Sequence, residues 1–274
     1  MVLPIHDVNP HRRTPYVTYA LIAVNVVVFL LSPLAATLTG SGSAAAQCRQ
    51  LAYLDHHAAK PDEVIGNDQP TAVATGQVGV DPAGRVGCVE QSPPPYEKNA
   101  ALSVLTAMFM HGGWLHLLGN LLFLYVFGDN VEDRLGRLRY LGFYLLCGFA
   151  ATYGFSALDP SSTAPLVGAS GAIAGVLGGY LVLFPKARVW SLLTFFFFLP
   201  VRLPAWLVLG SWFLLQALYS AGAGITDATG GGVAYVAHAV GFVVGALLVL
   251  PLRGSGRDRR IADPRFGPYA RRPL

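Results

Sequence analysis

The sequence predicts an all-α polytopic membrane protein: a six-helix bundle with one long hydrophilic loop between its first two helices. Three observations predict it. The 274 residues are 53% hydrophobic and only 12% charged, with a mean hydropathy of +0.49, whereas a soluble domain is about a quarter charged. Six stretches reach or approach the ~20 apolar residues that a spanning helix needs: about 15–38, 101–127, 139–158, 168–184, 203–221 and 233–250. The basic residues are also unevenly placed. With the N-terminus inside, 15 of the 19 Lys and Arg fall on inner segments, and only Arg49, Lys60, Arg85 and Lys98 fall outside. The positive-inside rule then puts both termini in the cytoplasm, with the chain in the plasma or inner membrane.

Residues 1–14 read as a cytoplasmic N-terminus, and 15–252 as the membrane core. The first stretch follows His11-Arg12-Arg13 and contains Asn25, a polar group suited to a helix contact. Ala44-Ala45-Ala46 resembles a signal cleavage site, but the apolar run is long for a signal peptide, so a retained anchor is expected. Loop 39–100 is rich in Gly, Ser, Pro and Asp and poor in large apolar residues. A loosely packed outer excursion is expected there, not a second domain. Cys48 and Cys88 share that loop and can pair if it faces an oxidising space; otherwise they stay free. Cys147 lies in an apolar run and reads as packing, and no CxxC motif suggests a thiolate metal site.

Residues 194–200, Thr-Phe-Phe-Phe-Phe-Leu-Pro, are too few to span and read as an interfacial stretch before the fifth helix. The fifth stretch carries Trp206, Trp212 and Phe213, and a Gly-rich connector at 221–232 follows it. Residues 253–274 form a basic cytoplasmic tail, read as a topology anchor. The basic residues flank apolar spans instead of forming one soluble face, which argues against a nucleic-acid partner.

Two stripes of small residues stand out. Gly171, Gly175 and Gly179 recur every fourth residue in the fourth stretch, and Ala237, Gly241 and Gly245 do so in the last. Such stripes let helices approach backbone to backbone in a bilayer. Ser170 and His238 each flank the outer end of a stripe, so packing the stripes together brings hydroxyl and imidazole together.

Depth supports the pairing. At 1.5 Å per residue, Ser170 lies about 21 Å above Phe184, His238 about 18 Å above Leu250 and His116 about 17 Å above Phe127. Asn120, four residues from His116, shares its helix face. Polar residues at one depth within spans are functional candidates. Ser170 suits a nucleophile, and His238 a base that later returns the proton to a leaving amine. The Ser170 N–H, at a helix N-terminus, and the side chains of His116 and Asn120 suit an oxyanion. No carboxylate shares this layer, so a Ser–His dyad is expected, not a triad. His111, beside Gly112-Gly113, reads as structural.

These residues together resemble the rhomboid family of intramembrane serine proteases. Gly168-Ala169-Ser170-Gly171 matches the family's Gly-x-Ser-Gly, and Ala237-His238-Ala239-Val240-Gly241-Phe242 its last-helix His with small neighbours. His111, His116 and Asn120 match His-x4-His-x3-Asn, and 128–136 resembles an inner turn in which Glu132 and Arg134 are structural. The resemblance covers about 15–252. It implies a nucleophilic Ser170, a basic His238, oxyanion donors in His116 and Asn120, and site support from His111, Gly168 and Gly171. It further implies cleavage of single-span membrane proteins near their outer boundary, with lateral entry past the fifth helix; the Gly-rich stretch at 221–232 reads equally as a lid or as a simple connector. Two features depart from the family. Ala174 stands where some bacterial members place a Tyr that stacks on the catalytic His, so His238 must be held otherwise. A Trp-Arg pair expected near Leu102-Ser103 is absent.

The partners expected are transmembrane substrates and membrane lipid, with no cofactor and no metal. Three other classes compete. An inactive relative serving as a scaffold would lack the Ser or the His. A proton-coupled transporter would show repeats and buried acidic relays. A metalloprotease would show His-Glu-x-x-His, which is missing.

Overall fold

The computed structural model describes residues 2–9, 12–39, 42–81, 83–193, 199–223 and 235–252. The chain begins with strand β1 (Val2–Asp7), then helix α1 (Tyr16–Leu31) and a 3-10 turn (Pro33–Thr39). Next come α2 (Ala44–His57), α3 (Pro61–Gly66), the hairpin strands β2 (Val73–Val80) and β3 (Val86–Gln91), and α4 (Ala100–Ala107). The remainder is α5 (Trp114–Leu135), α6 (Arg137–Leu158), α7 (Ser170–Leu183), β4 (Arg188–Leu193), β5 (Leu199–Pro204), α8 (Ala205–Ala223) and α9 (Tyr235–Leu248).

Among the described residues, α6 alone is long and apolar enough to cross a membrane by length and composition. Helices α1, α7 and α9, and residues 205–218 of α8, are shorter apolar helices. Their main core joins α5, α6, α7, α8 and α9 around Leu124, Phe127, Tyr144, Leu177, Tyr180 and Leu209, all buried.

Helices α7 and α9 meet along their small residues. A Cβ on Gly241 would overlap the Gly171 carbonyl, and one on Gly245 the Gly175 carbonyl. The stripes therefore pack as expected, with one shift of register. Gly178, not Gly179, lies against the Phe242 carbonyl, while Gly179 faces Phe143 of α6.

The expectation of an all-α chain is corrected by two small sheets. Strands β1, β4 and β5 form one antiparallel sheet with β4 in the centre, and β2 and β3 form the other. In the first sheet, Pro4 and Pro200 fall on edge strands and the central strand has none. That placement spares the ladder the missing amide of proline. Arg202 lies over the Trp190 ring at 4.3 Å, a cross-strand pair at residues in register.

Loop 39–100 is also not the loose excursion expected. It folds into α2, α3 and the β2–β3 hairpin, and a Cys48–Cys88 disulfide joins α2 to β3 with Cα atoms 5.2 Å apart. Ion pairs supplement its small apolar core: buried Lys98 with Glu63 at 2.5 Å and half-buried Lys60 with Asp55 at 2.9 Å. A bridge and salt links here serve where large apolar side chains are scarce. Burial pushes the Glu63 carboxyl up and the Lys98 amine down, while each partner opposes the shift of the other. Ala44-Ala45-Ala46 lies inside α2.

The second stretch is broken, not continuous from 101 to 127. Helix α4 stops at Ala107, and α5 starts after Gly112-Gly113 and runs to Leu135. Two adjacent glycines disfavour helix, and the gap lets Ala107 O accept the Gly168 N–H at 2.9 Å. Beyond Phe127, α5 continues through polar and charged residues because two of them, Glu132 and Asn130, have buried partners. Glu132 accepts from Val17 N–H (3.0 Å), Thr18 N–H (2.7 Å) and the Thr18 hydroxyl (2.8 Å). It thereby places a carboxylate on the first amides of α1, where helix ends lack partners. Asn130 donates to Asp7 at 2.9 Å, and Tyr180 OH donates to the same carboxylate oxygen at 2.5 Å. Gly136, at φ +79°, turns α5 into α6. Asn25 is buried and donates to Leu21 O of its own helix.

Residues 194–198 of the interfacial run, 224–232 of the Gly-rich connector and the tail at 253–274 lie outside the described residues, while Leu199 and Pro200 belong to β5 and 221–223 to α8.

Candidate active site

Ser170 is the first residue of α7. Its N–H therefore has no acceptor within the helix, and the side chain is partly exposed. His238 sits in the first turns of α9 and is buried. The Gly171–Gly241 contact lies one residue beyond Ser170 and three beyond His238. That close approach sets the spacing of the two side chains: Ser170 Oγ is 2.7 Å from His238 Nε2.

The other imidazole nitrogen also has a partner. His238 Nδ1 lies 2.8 Å from Gln216 Oε1 on α8. One turn earlier on α8, the Trp212 ring lies 5.9 Å from the His238 ring, tilted by 31°. Phe213 stacks on Phe242 of α9 at 4.6 Å. With Ala174 in place of an aromatic, His238 is thus held from α8, by an amide and an indole. Trp206 is exposed, while Trp212 and Phe213 are half-buried against α9.

Gly168 and His116 form the opposite wall. Gly168 has φ +130°, and a Cβ there would sit 2.9 Å from both Cε1 and Nε2 of His116 and 3.4 Å from Ser170 Oγ. The imidazole edge therefore lies against the turn that carries Ser170. Gly112 N–H points at His116 Nδ1 from 3.4 Å. An acceptor at Nδ1 leaves the proton on Nε2, the atom beside Gly168. His116 is exposed, so this end of the site is open.

Asn120 is buried on α5, and its Nδ2 donates to His116 O at 2.8 Å. One N–H of that amide is thus used within the helix and the other remains. His111 is fully buried, its ring edge-on to His116 at 5.2 Å, consistent with a supporting place. Gly171 packs against Ala151 and the α9 backbone. No group of three or more His, Cys, Asp or Glu suited to a metal occurs among the described residues.

Sequence reasoning missed Gln216, though its own depth rule reaches it. Gln216 lies 11 residues after Ala205, the first residue of α8, or about 17 Å along the helix. That is the layer of Ser170, His116 and His238. A polar side chain at that height in an apolar helix was the available signal.

A family model of the Rhomboid domain matches residues 98–255. One relative is Rhomboid-like protein 11, chloroplastic, of Arabidopsis thaliana, 33% identical over 152 residues, 53% of this chain and 50% of that protein. Another is Rhomboid protein 1, mitochondrial, of Saccharomyces cerevisiae, 32% identical over 151 residues, 53% of this chain and 40% of that one. RHOMBOID-like protein 6, mitochondrial, of Arabidopsis thaliana is 32% identical over 111 residues, 38% and 36%. The chain spans half or less of the length of these relatives.

Proposed function

Since this chain belongs to the rhomboid family, with its helical polytopic membrane fold, we propose that it is an intramembrane serine endopeptidase working through a Ser170–His238 dyad. The observation that most supports the reading is the 2.7 Å separation of Ser170 Oγ and His238 Nε2 on two close-packed helices.

On this reading Nε2 takes the hydroxyl proton as Oγ bonds to the scissile carbonyl carbon, and the C=O pair moves onto oxygen. The oxyanion accepts hydrogen bonds from the Ser170 N–H, His116 Nε2–H and the second N–H of Asn120. The imidazolium then protonates the amide nitrogen, the C–N bond breaks, and water releases the acyl group by the same steps in reverse order. Ser170 is partly exposed and His116 exposed, so protein does not close over the hydroxyl, and on this reading water reaches it there.

The substrates on this reading are single-span membrane proteins, cut near the outer boundary where helix-weakening residues free the bond. Entry is lateral past α8, and membrane lipid is the other partner. Six spans fit the bundle if α1, α5, α6, α7, α8 and α9 all cross. Antiparallel pairing of β1 with β4 places residues 2–7 on the same side as the α7–α8 connection. That supports an N-terminus on the inner, Arg-rich side of a plasma or inner membrane.

The test is cleavage of a single-span substrate by purified protein in detergent. Ser170→Ala and His238→Ala should each abolish cleavage, and a fluorophosphonate should label the native protein at Ser170 alone. Cleavage that survives Ser170→Ala would overturn the proposal.

A further inference from the structure

We infer that Gln216 is a neutral third member of the site, a positioning residue that selects which nitrogen of His238 carries the proton. The inference rests on the hydrolase reading above and extends it.

An amide oxygen only accepts hydrogen bonds. With Gln216 Oε1 at 2.8 Å, Nδ1 of His238 must be the protonated nitrogen. Nε2 is then bare and faces the Ser170 hydroxyl at 2.7 Å. This is the tautomer that a general base requires. Turning the amide over would reverse it: an NH2 group would donate to Nδ1, and Nε2–H would point at Ser170, unable to take its proton. The contact between α8 and α9 therefore decides whether the dyad is competent.

Hydrolases of the triad type give this task to a buried aspartate, which also stabilises the imidazolium. Gln216 can orient but brings no charge. Among the described residues, none of Ser170, Gln216 and Trp212, which contact His238, brings one either. Helix α6 presents Ala151 and Gly154 to α9, α7 presents Ser170, and α8 presents Trp212 and Gln216. The ionisable group that bears on the ring is His116 of α5. Trp212 and Gln216 are four residues apart on one face of α8. Together they hold the ring at its face and at its far nitrogen, the task that Ala174 leaves undone.

The test uses the full chain in detergent and three forms: native, Gln216→Met and Gln216→Glu. Gln216→Met preserves length and removes the acceptor. It should lower kcat about 10- to 100-fold with little change in KM, since a disordered base misses its geometry. Gln216→Glu retains an acceptor at Nδ1, so turnover should recover relative to Gln216→Met. Its added charge should move the acid limb of the kcat/KM profile up by about one pH unit or more. A residue that only packs would change melting and leave that limb in place. Independently of activity, 15N spectra of histidine-labelled protein should show His238 protonated at Nδ1 in the native chain and mixed in Gln216→Met. A native His238 protonated at Nε2 would overturn the inference, as would a Gln216→Met form with native kcat and tautomer. Loss of Ser170-dependent cleavage would instead strike the hydrolase reading, while the spectra still decide the role of Gln216.

Discussion

Replacing Gly168 by alanine tests the wall between Ser170 and His116. The backbone there has φ +130°, where an L side chain is strained, by about 1–3 kcal/mol. The new Cβ would lie 2.9 Å from Cε1 and Nε2 of His116. An ordinary contact begins at 3.4 Å, so the imidazole must retreat by the difference, 3.4 − 2.9 = 0.5 Å. A displacement of ~1 Å in a catalytic group can cost about a hundredfold in rate, so half of that should cost about tenfold. The assay is the rate of fluorophosphonate labelling at Ser170, read with thermal unfolding. Gly119→Ala is the control: it lies on the same helix as His116, with nothing within 4 Å of its added Cβ. It should label at the native rate. Putting Gly168→Ala into a His116→Ala background separates strain from collision, because the collision disappears there. Native labelling and melting for Gly168→Ala would refute the reasoning.

Four further outcomes are expected. Gly241→Ala should push α9 away from the Gly171 carbonyl, lowering stability by about 1–3 kcal/mol and Ser170 labelling by about tenfold or more. Gly210→Ala, which meets nothing within 4 Å, should be neutral or stabilising by up to about 1 kcal/mol in a melting scan. Burial raises the Asp7 carboxyl from 3.8 to about 7 against the opposing hydrogen bond from Tyr180. The native state therefore holds that proton more tightly. The contribution of Asp7 should be full below pH 4 and fall as pH rises through 7, by up to about 4 kcal/mol. Hydrogen exchange in β1 should follow that trend, and Asp7→Asn should flatten it. Reducing the Cys48–Cys88 bridge should cost the 42–98 segment about 4 kcal/mol by the loop-entropy model. Limited proteolysis should then cut within 42–98 while Ser170 labelling persists.

The site was legible where a local pattern forces a close contact. Small residues four apart can do little else than admit a neighbouring helix, so pairing Ser170 with His238 followed from spacing. Gln216 escaped because a lone amide in a helix has no spacing to betray it; only its height does. The β1–β4–β5 sheet escaped for another reason. Six-residue strands joined across most of the chain, such as Val2–Asp7 with Arg188–Leu193, depend on where the helices have already delivered their ends. The 42–98 segment is ordered despite a polar composition that predicts a loose loop. A bridge between Cys48 and Cys88 and the buried Lys98–Glu63 pair do not register in hydropathy.

Glu132 marks a mismatch between kinship and cooperativity. Its carboxylate is 3% exposed, and the amides that neutralise it belong to Val17 and Thr18, well upstream of the stretch at 98–255 shared with relatives. Excised at those borders, the shared portion would lose the three hydrogen bonds that Val17 and Thr18 give that carboxylate, each worth about 1.5–3 kcal/mol for a charged acceptor. Ancestry therefore draws one outline on this polypeptide and thermodynamics draws a wider one. The first helix is the keystone of an arch that homology leaves out.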